Sequence, residues 1–402
     1  MTDVPGGALA GLRVLDMGKI YNGPYCGLLL AHLGADVIKI EPPGGETLRY
    51  RAEPGSETHE FVMLNSNKRS VVLDLKVPDG RAVLLDLVRE ADVLIENFAR
   101  GAMDRMGLGY ETLIGLNPRL VYASGKGYGL YGPYADMPAM DITVQAMSGV
   151  IASTGFPDGP PVKAGPAFMD FLGGIHLFSG VMAALVQRGT TGRGQLVDVS
   201  MHDTVFPTLA SAIGGIYNRV LADIPERTGN RHSGLAVSPY GVYPTSDGHV
   251  ALFCVTEGHW KSLVSVMERE DLLEDSRFAS THLRAGHLDE VDAQVSAWTV
   301  LHRKWELVRT LEASGVPCAP VQTVREVVDD PQLKERGMIR YVDHPRMGRV
   351  PVVGNPLQLS DSPLTDVRLA PPLGRDTDEV LREVAGYDAD RIADLRAARA
   401  VS

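Results

Sequence analysis

The stretch "LRVLDMGKIYNGPYCGLLLAHLGADVIKIE", residues 12–41, changes its hydrophobic period twice. LRVLDMG (12–18) is short, apolar and rich in branched side chains, as a strand buried on both faces is. GPYCGLLLAHLG (23–34) repeats its apolar residues at helical spacing. It opens on Pro24, suited to a first helical turn, and stops on Gly34, a C-cap. ADVIKIE (35–41) returns to strand. The same theme recurs in SVVLDL (70–75), VLIENF (93–98), LVYASG (120–125) and LVDVSM (196–201), with a helical pattern over 78–90. Strands separated by helices predict an α/β fold, a mostly parallel sheet covered on both faces. Ligands of such sheets bind outside the carboxyl ends of the strands, so the loops after residues 18, 41, 75, 98 and 125 are where a site belongs.

A chain of 402 residues exceeds one small core, so two domains, or one large domain with an insertion, are expected. Residues 171–187 are apolar nearly all round and read as a buried helix, with His176 as a core histidine. Residues 206–235 lose periodicity and read as a linker. YGVYPTSDGHVALFCV (240–255) reads as a hairpin turning at Asp247–Gly248, helical patterns fill 258–314, and GVPCAPV (315–321) marks a second crossing before a helix from about 375. The expected layout is a first part of a large domain over 1–205, the linker over 206–235, a small domain over 236–312 and a return segment over 313–402.

A net charge of −11 argues against nucleic acid or an anionic membrane as partner, while leaving room for a local basic groove. Cys26, Cys254 and Cys318 are far apart and form no CxxC pair, which gives neither a disulfide framework nor a zinc signature. The N-terminal residues lack a basic segment followed by a long apolar core, and no run reaches 18 uninterrupted apolar residues, so a cytoplasmic protein without a membrane span is expected.

Several features compete as site. The glycines at 18, 23 and 27 do not fit G-x-G-x-x-G, which favours a tight strand-to-helix turn over a dinucleotide site. Lys19, Lys39, Lys68, Arg69, Lys76, Arg100, Arg105 and Lys126 gather at the expected sheet edge and suit a ligand with several phosphates, although each alone also reads as a surface charge. MHD (201–203) has no metal-ligand spacing, so no metal is expected, and no GxSxG elbow is present. Asp170, in GPAFMDFLGGIHLFSG (165–180), precedes an apolar helix and reads first as its cap. Gly173 and Gly174 point further: side-chain-free residues there would leave the helix start open to a ligand and suit an oxyanion.

The chain resembles the family III CoA-transferases and, beside them, the α-methylacyl-CoA racemases. The residues that carry the resemblance are 12–45, NSNKRSVVLDLK (65–76), ADVLIENFARGAMDRMGLGYE (91–111), MDITVQAMSGVIASTGFPDGPP (140–161), Asp170 with its helix, TGRGQLVDVSMHD (191–203) and PPLGRDTDEVL (371–381). The resemblance implies a Rossmann-like large domain built from both chain ends, a smaller inserted domain, and an interlocked homodimer. It implies Asp170 as nucleophile and Asp141 as a second acid near a thioester. It places coenzyme A contacts on Lys19, Tyr21, Asn22, Lys39, Leu73, Lys76, Asn97, Phe98, Arg100, Arg105, Met106 and Lys126. Coenzyme A then enters as substrate rather than resident cofactor, with acyl-CoA and a small carboxylic acid as partners. The implied reaction moves CoA between acids through anhydride and aspartyl-CoA intermediates, with the Gly173–Gly174 turn as oxyanion donor. Epimerisation of an α-methylacyl-CoA and CoA migration within one dicarboxylic acid are the alternatives. Racemases have a histidine before the second acid where this chain has Met140, and VTEGHWKSL (255–263) replaces the glycine-run loop of formyl-CoA transferase. A lid around Glu257–Trp260 is expected to exclude water.

Overall fold

The computed structural model describes residues 6–51, 53, 55–218, 225–363 and 365–402. The chain forms two compact units, one of Met1–Val144, Ala167–Val205 and Val328–Ser402 and one of Gln145–Pro166 and Phe206–Val327.

In the first unit the chain runs β1 (Arg13–Asp16), α1 (Asn22–His32), β2 (Asp36–Glu41), α2 (His59–Leu64), β3 (Arg69–Val72), α3 (Pro78–Arg89), β4 (Val93–Glu96), α4 (Ala102–Arg105), α5 (Tyr110–Leu116) and β5 (Val121–Lys126). After α6 (Asp141–Met147), and α7 (Val150–Ser153) of the second unit, come α8 (Phe168–Thr191), β6 (Leu196–Ser200) and α9 (Met201–Val205). The six strands make one parallel sheet in the order β3-β2-β1-β4-β5-β6. Strand order reverses between β1 and β4, so the crevice that such folds use for ligands opens beyond their carboxyl ends.

Alternation along the strands builds two cores. Leu15, Ile38, Leu94 and Tyr122 face one side and pack with Val83, Leu84 and Leu87 of α3. Val14, Val37, Val93, Ile95, Val121 and Ala123 face the other and pack with Cys26 and Leu30 of α1 and Leu177, Val181 and Ala184 of α8. At about 1.5–3 kcal/mol for each large apolar side chain fully removed from water, these layers dominate what holds the sheet.

The second unit contains a 3-10 turn (Phe206–Leu209), α10 (Ala210–Asn218), β7 (Tyr240–Thr245), β8 (Gly248–Phe253), α11 (Glu257–Val266), α12 (Asp271–Glu274), α13 (Thr281–Ala285), α14 (Leu288–Thr299), α15 (Lys304–Ala313) and β9 (Cys318–Pro320). The expected hairpin is present, but with Thr245 opposite Gly248 it turns at Ser246–Asp247, one residue before the expected Asp247–Gly248. Trp260, Leu263, Phe278, Val291 and Leu307 form its core. After α16 (Val324–Val328) the chain returns through α17 (Pro331–Glu335), a hairpin of β10 (Ile339–His344) and β11 (Gly348–Val353) absent from the sequence reading, α18 (Thr377–Glu383) and α19 (Ala389–Ala397). Val380, Leu381, Ile392 and Leu395 of the last two helices join the α3 face of the sheet.

The structure corrects four further expectations. Residues 145–166 group with the second unit, because Gly229 donates to the Gly155 carbonyl at 3.0 Å. The return begins near Val328 rather than 313, because Cys318–Pro320 pairs with β8 instead of crossing. The expected linker includes α10, and its residues 219–224 lie outside the described residues. Finally, α8 is buried on one side only: Val186 is 73% exposed and His176 is exposed, its Nδ1 against the Leu172 carbonyl. α8 is also long and apolar enough to cross a membrane by length and composition, which the count of uninterrupted apolar residues misses. Its inner face packs on α1, β5 and β6, as a core-flanking helix does.

Candidate active site

The crevice at the strand-order reversal is anchored by a turn that only glycine permits. A Cβ on Gly18 would lie 2.8 Å from the Gly23 backbone, and one on Gly23 would lie 2.7 Å from the Gly18 Cα. Between them Ile20 sits at φ 63°, a left-handed conformation that costs a β-branched residue about 1–3 kcal/mol. Asn97, just past β4, clasps this turn: Lys19 N–H donates to Asn97 Oδ1 at 2.7 Å, and Asn97 Nδ2 donates to the Lys19 carbonyl at 2.9 Å.

The strand ends supply acids. Asp16 at the end of β1 accepts from Lys68 Nζ at 2.7 Å and lies 4.0 Å from Lys39 Nζ, all fully buried. Burial alone would raise the Asp16 pKa, but Lys39 and Lys68 hold it below the usual carboxylate value. Burial pulls Lys68 down to about 8. Glu41 at the end of β2 pairs with Arg49 at 2.6 Å, and Glu96 at the end of β4 accepts from Lys126 at 2.7 Å through both oxygens. Lys39 also donates to the Gly18 carbonyl. Lys39, Lys68 and Lys126 are therefore internal struts under the loops. The sequence reading counted the cations without the buried acids that neutralise them.

Beyond those ends lies a cavity of about 450 Å³ whose lining includes Lys19, Asn22, Asn97, Phe98, Arg100, Lys126 and Asp170. Ile20, Met137, Met140 and Met201 make its apolar wall, of which the sequence reading had singled out only Met140, as a departure rather than as wall. An adjoining slot of about 230 Å³ is lined by Ile40, Leu73, Leu75, Lys76, Phe98 and Met106 and shares Lys19 and Phe98 with the cavity. The Lys19 ammonium stands 4.5 Å from the Phe98 ring centroid, and burial lowers its pKa. Arg100 pairs with Asp136 at 2.8 Å. Lys76 and Arg105 are exposed and form no ion pair among the described residues. Tyr21 stacks on Phe171 at 5.8 Å. Tyr21, Lys39, Arg105 and Asp141 line neither space.

Asp170 is the third residue of α8 and 9% exposed. It is not the cap of its helix. Asp141 takes that part: its Oδ2 accepts from the Met169 N–H at 2.9 Å and the Asp170 N–H at 3.4 Å. Burial, and then the Asp141 charge, push the Asp170 carboxyl up to about 7. Gly173 and Gly174 do not leave the helix open to a ligand. A Cβ on Gly173 would lie 2.2 Å from Asn22 Nδ2, and one on Gly174 would lie 2.7 Å from the Asn22 carbonyl. They let α1 close on α8, and at this depth in the helix their N–H groups belong to its own ladder rather than to an oxyanion. In the second unit, Trp260 is buried, whereas Glu257 is exposed and bonded to Thr281 and Arg284.

Residues 9–377 match the sequence profile of CoA-transferase family III. A formyl-CoA:oxalate CoA-transferase of Rhodopseudomonas palustris strain BisA53 is 37% identical, with 96% of each chain covered. A succinate–glutarate CoA-transferase of Agrobacterium fabrum is also 37% identical, over 96% of this chain and 98% of that one. Among solved structures, a CAIB/BAIF family protein from Brucella suis superposes with a TM-score of 0.82 at 34% identity, covering 94% of this chain and all of that one. With a six-stranded parallel sheet, a cavity at its reversal point and relatives matching from end to end, the chain belongs to CoA-transferase family III and is an enzyme of the CoA-transferase type.

Proposed function

We propose that this enzyme exchanges CoA between an acyl-CoA and a free carboxylic acid through covalent intermediates on Asp170. One observation carries this reading. Asp16, Glu41 and Glu96 each hold a cation, whereas Asp170, also buried though less deeply and lining the cavity, has no ion pair among the described residues. A carboxyl held near 7 is also a stronger nucleophile, once ionised, than an ordinary carboxylate.

In this scheme an Asp170 oxygen attacks the thioester carbon, the C–S bond breaks, and a mixed anhydride and CoA thiolate result. The thiolate attacks the aspartyl carbonyl, expels the donor acid as carboxylate and leaves an aspartyl-CoA thioester. The acceptor carboxylate then attacks that thioester and releases the thiolate. The thiolate takes the acceptor acyl group from the new anhydride and frees Asp170. Acyl energy is conserved at every step, so no nucleotide is hydrolysed. The apolar slot suits a flat base, Lys76 and Arg105 suit phosphates, and the Lys19–Phe98 wall joins slot to cavity. Small acids of the oxalate, succinate or glutarate kind, on which the relatives act by name, are the first acceptors to test.

A homodimer is part of the reading, supported by the apolar residues that α8 and α10 leave exposed, including Ile175, Val186, Ile216 and Tyr217. A cytoplasmic location is supported by three unpaired cysteines. The test is exchange of CoA from an acyl-CoA donor into a panel of acids, read by mass spectrometry. Asp170→Ala is expected to abolish exchange while CoA still binds, and hydroxylamine added during turnover is expected to label the peptide containing Asp170. An active Asp170→Ala enzyme would overturn the reading.

A further inference from the structure

Asn22 opens α1 at the floor of the cavity. It is 2% exposed, yet neither its Nδ2 nor its Oδ1 has a hydrogen-bond partner among the described residues. Unpartnered buried amides are expensive and rare, so one retained beside a reactive group asks for an explanation. Its surroundings are built to hold it. A Cβ on Gly125 would come within 2.3 Å of Oδ1, and a Cβ on Gly173 within 2.2 Å of Nδ2. Two missing side chains, one on β5 and one on α8, thus make room for this amide.

The position of Gly173 gives the slot its meaning. It follows Asp170 by three residues, and residues so spaced are neighbours on one helix face. Helical side chains also lean toward the N-terminus of their helix. The space that a Gly173 side chain would fill, and that Asn22 Nδ2 occupies instead, therefore lies on the face of α8 that carries Asp170. Both residues line the same cavity. The start of α1, where Asn22 sits, carries no side-chain cap, so its positive end is not offset by one.

We infer that Asn22 Nδ2 is the oxyanion donor for the acyl group carried on Asp170, the part that the sequence had suggested for Gly173 and Gly174. The inference rests on the Asp170 reading above. When CoA thiolate attacks the aspartyl carbonyl, a C–S bond forms and the C=O π pair moves onto oxygen. The Asn22 N–H donates to that oxygen, and collapse returns the pair and expels the carboxylate. No proton changes hands, which suits an amide donor. The same donor serves when the acceptor carboxylate attacks the aspartyl thioester.

The experiment compares Asn22→Ala and the near-isosteric Asn22→Asp with the parent enzyme, measuring melting temperature, kcat, the KM for acyl-CoA, and rapid-quench mass spectrometry of the Asp170 adduct. Asn22→Ala is expected to keep or raise the melting temperature, because it deletes an unpartnered buried group. In both variants kcat is expected to fall roughly 100- to 1000-fold, with the KM for acyl-CoA within about threefold and the adduct turning over correspondingly more slowly. A folded variant with kcat near the parent value overturns the inference. So does a raised KM at unchanged kcat, which would make Asn22 a CoA contact. If Asn22→Ala does not fold, Asn22→Asp decides alone. Failure of the Asp170 reading is separate: it appears as activity in Asp170→Ala and no adduct in the parent, whereas failure here leaves the parent adduct intact.

Discussion

Asp170 and Asp141 face the same helix start and divide its work. Asp141 satisfies two N–H groups of the first turn and, as a nearby negative charge, keeps the proton on Asp170 longer. Only ionised Asp170 can attack a thioester, so activity is expected to rise with pH through a limb centred near 7. Asp141→Asn keeps an oxygen for the cap while removing the charge, and asparagine caps as well as aspartate. Without that charge Asp170 ionises more readily. The limb in kcat/KM is therefore expected to move to lower pH, with the plateau rate within about threefold of the parent. A pH–rate profile checks this; an unmoved limb would mean that Asp141 acts on Asp170 through the cap alone.

At the scale of elements, strand ends rather than surface loops set the site. β1 stops on an acid that reaches back to Lys39 and Lys68, and these tie the start of β3 and the end of β2 to the α1 turn. Lys68 Nζ also donates to the Pro24 carbonyl and to Asn65, so one ammonium fixes three segments. Lys68→Met would leave buried Asp16 with Lys39, 4.0 Å away, as its remaining cation and without its direct ammonium hydrogen bond, and is expected to cost about 3–5 kcal/mol in urea unfolding. Adding Asp16→Asn removes that charge and is expected to restore much of the loss, giving strong coupling in the double-mutant cycle. Additive effects would show that Lys68 holds the turn through its carbonyl and amide bonds only. Such pairs were not legible in the sequence, because Asp16 and Lys68 are 52 residues apart and only the parallel register of β1, β2 and β3 brings them together.

For the whole molecule, neutralising the inner lysines leaves Lys76 as the exposed cation that lines the slot, with Arg105 exposed next in the chain to the slot residue Met106. Replacing either with alanine is expected to raise the KM for acyl-CoA roughly tenfold, with kcat nearly unchanged and a weaker salt dependence, as for a lost phosphate contact. Lys39→Met is expected instead to destabilise the fold, and isothermal titration with CoA beside thermal melts separates the two outcomes. The strand-and-helix alternation is a local property, and so the parallel sheet and Asp170 at a helix start were readable from residue order alone, whereas the strand order and its reversal point were not. What residue order leaves open is which polar groups find partners. The sequence marked Asp170 as a cap, Gly173 and Gly174 as an open ledge, and eight basic residues as one anion site. Tertiary packing moved the cap to Asp141, filled the ledge with Asn22 and turned three of the lysines inward. Periodicity depends on neighbours a few residues away, whereas the fate of a charge or an amide depends on what arrives from across the sheet.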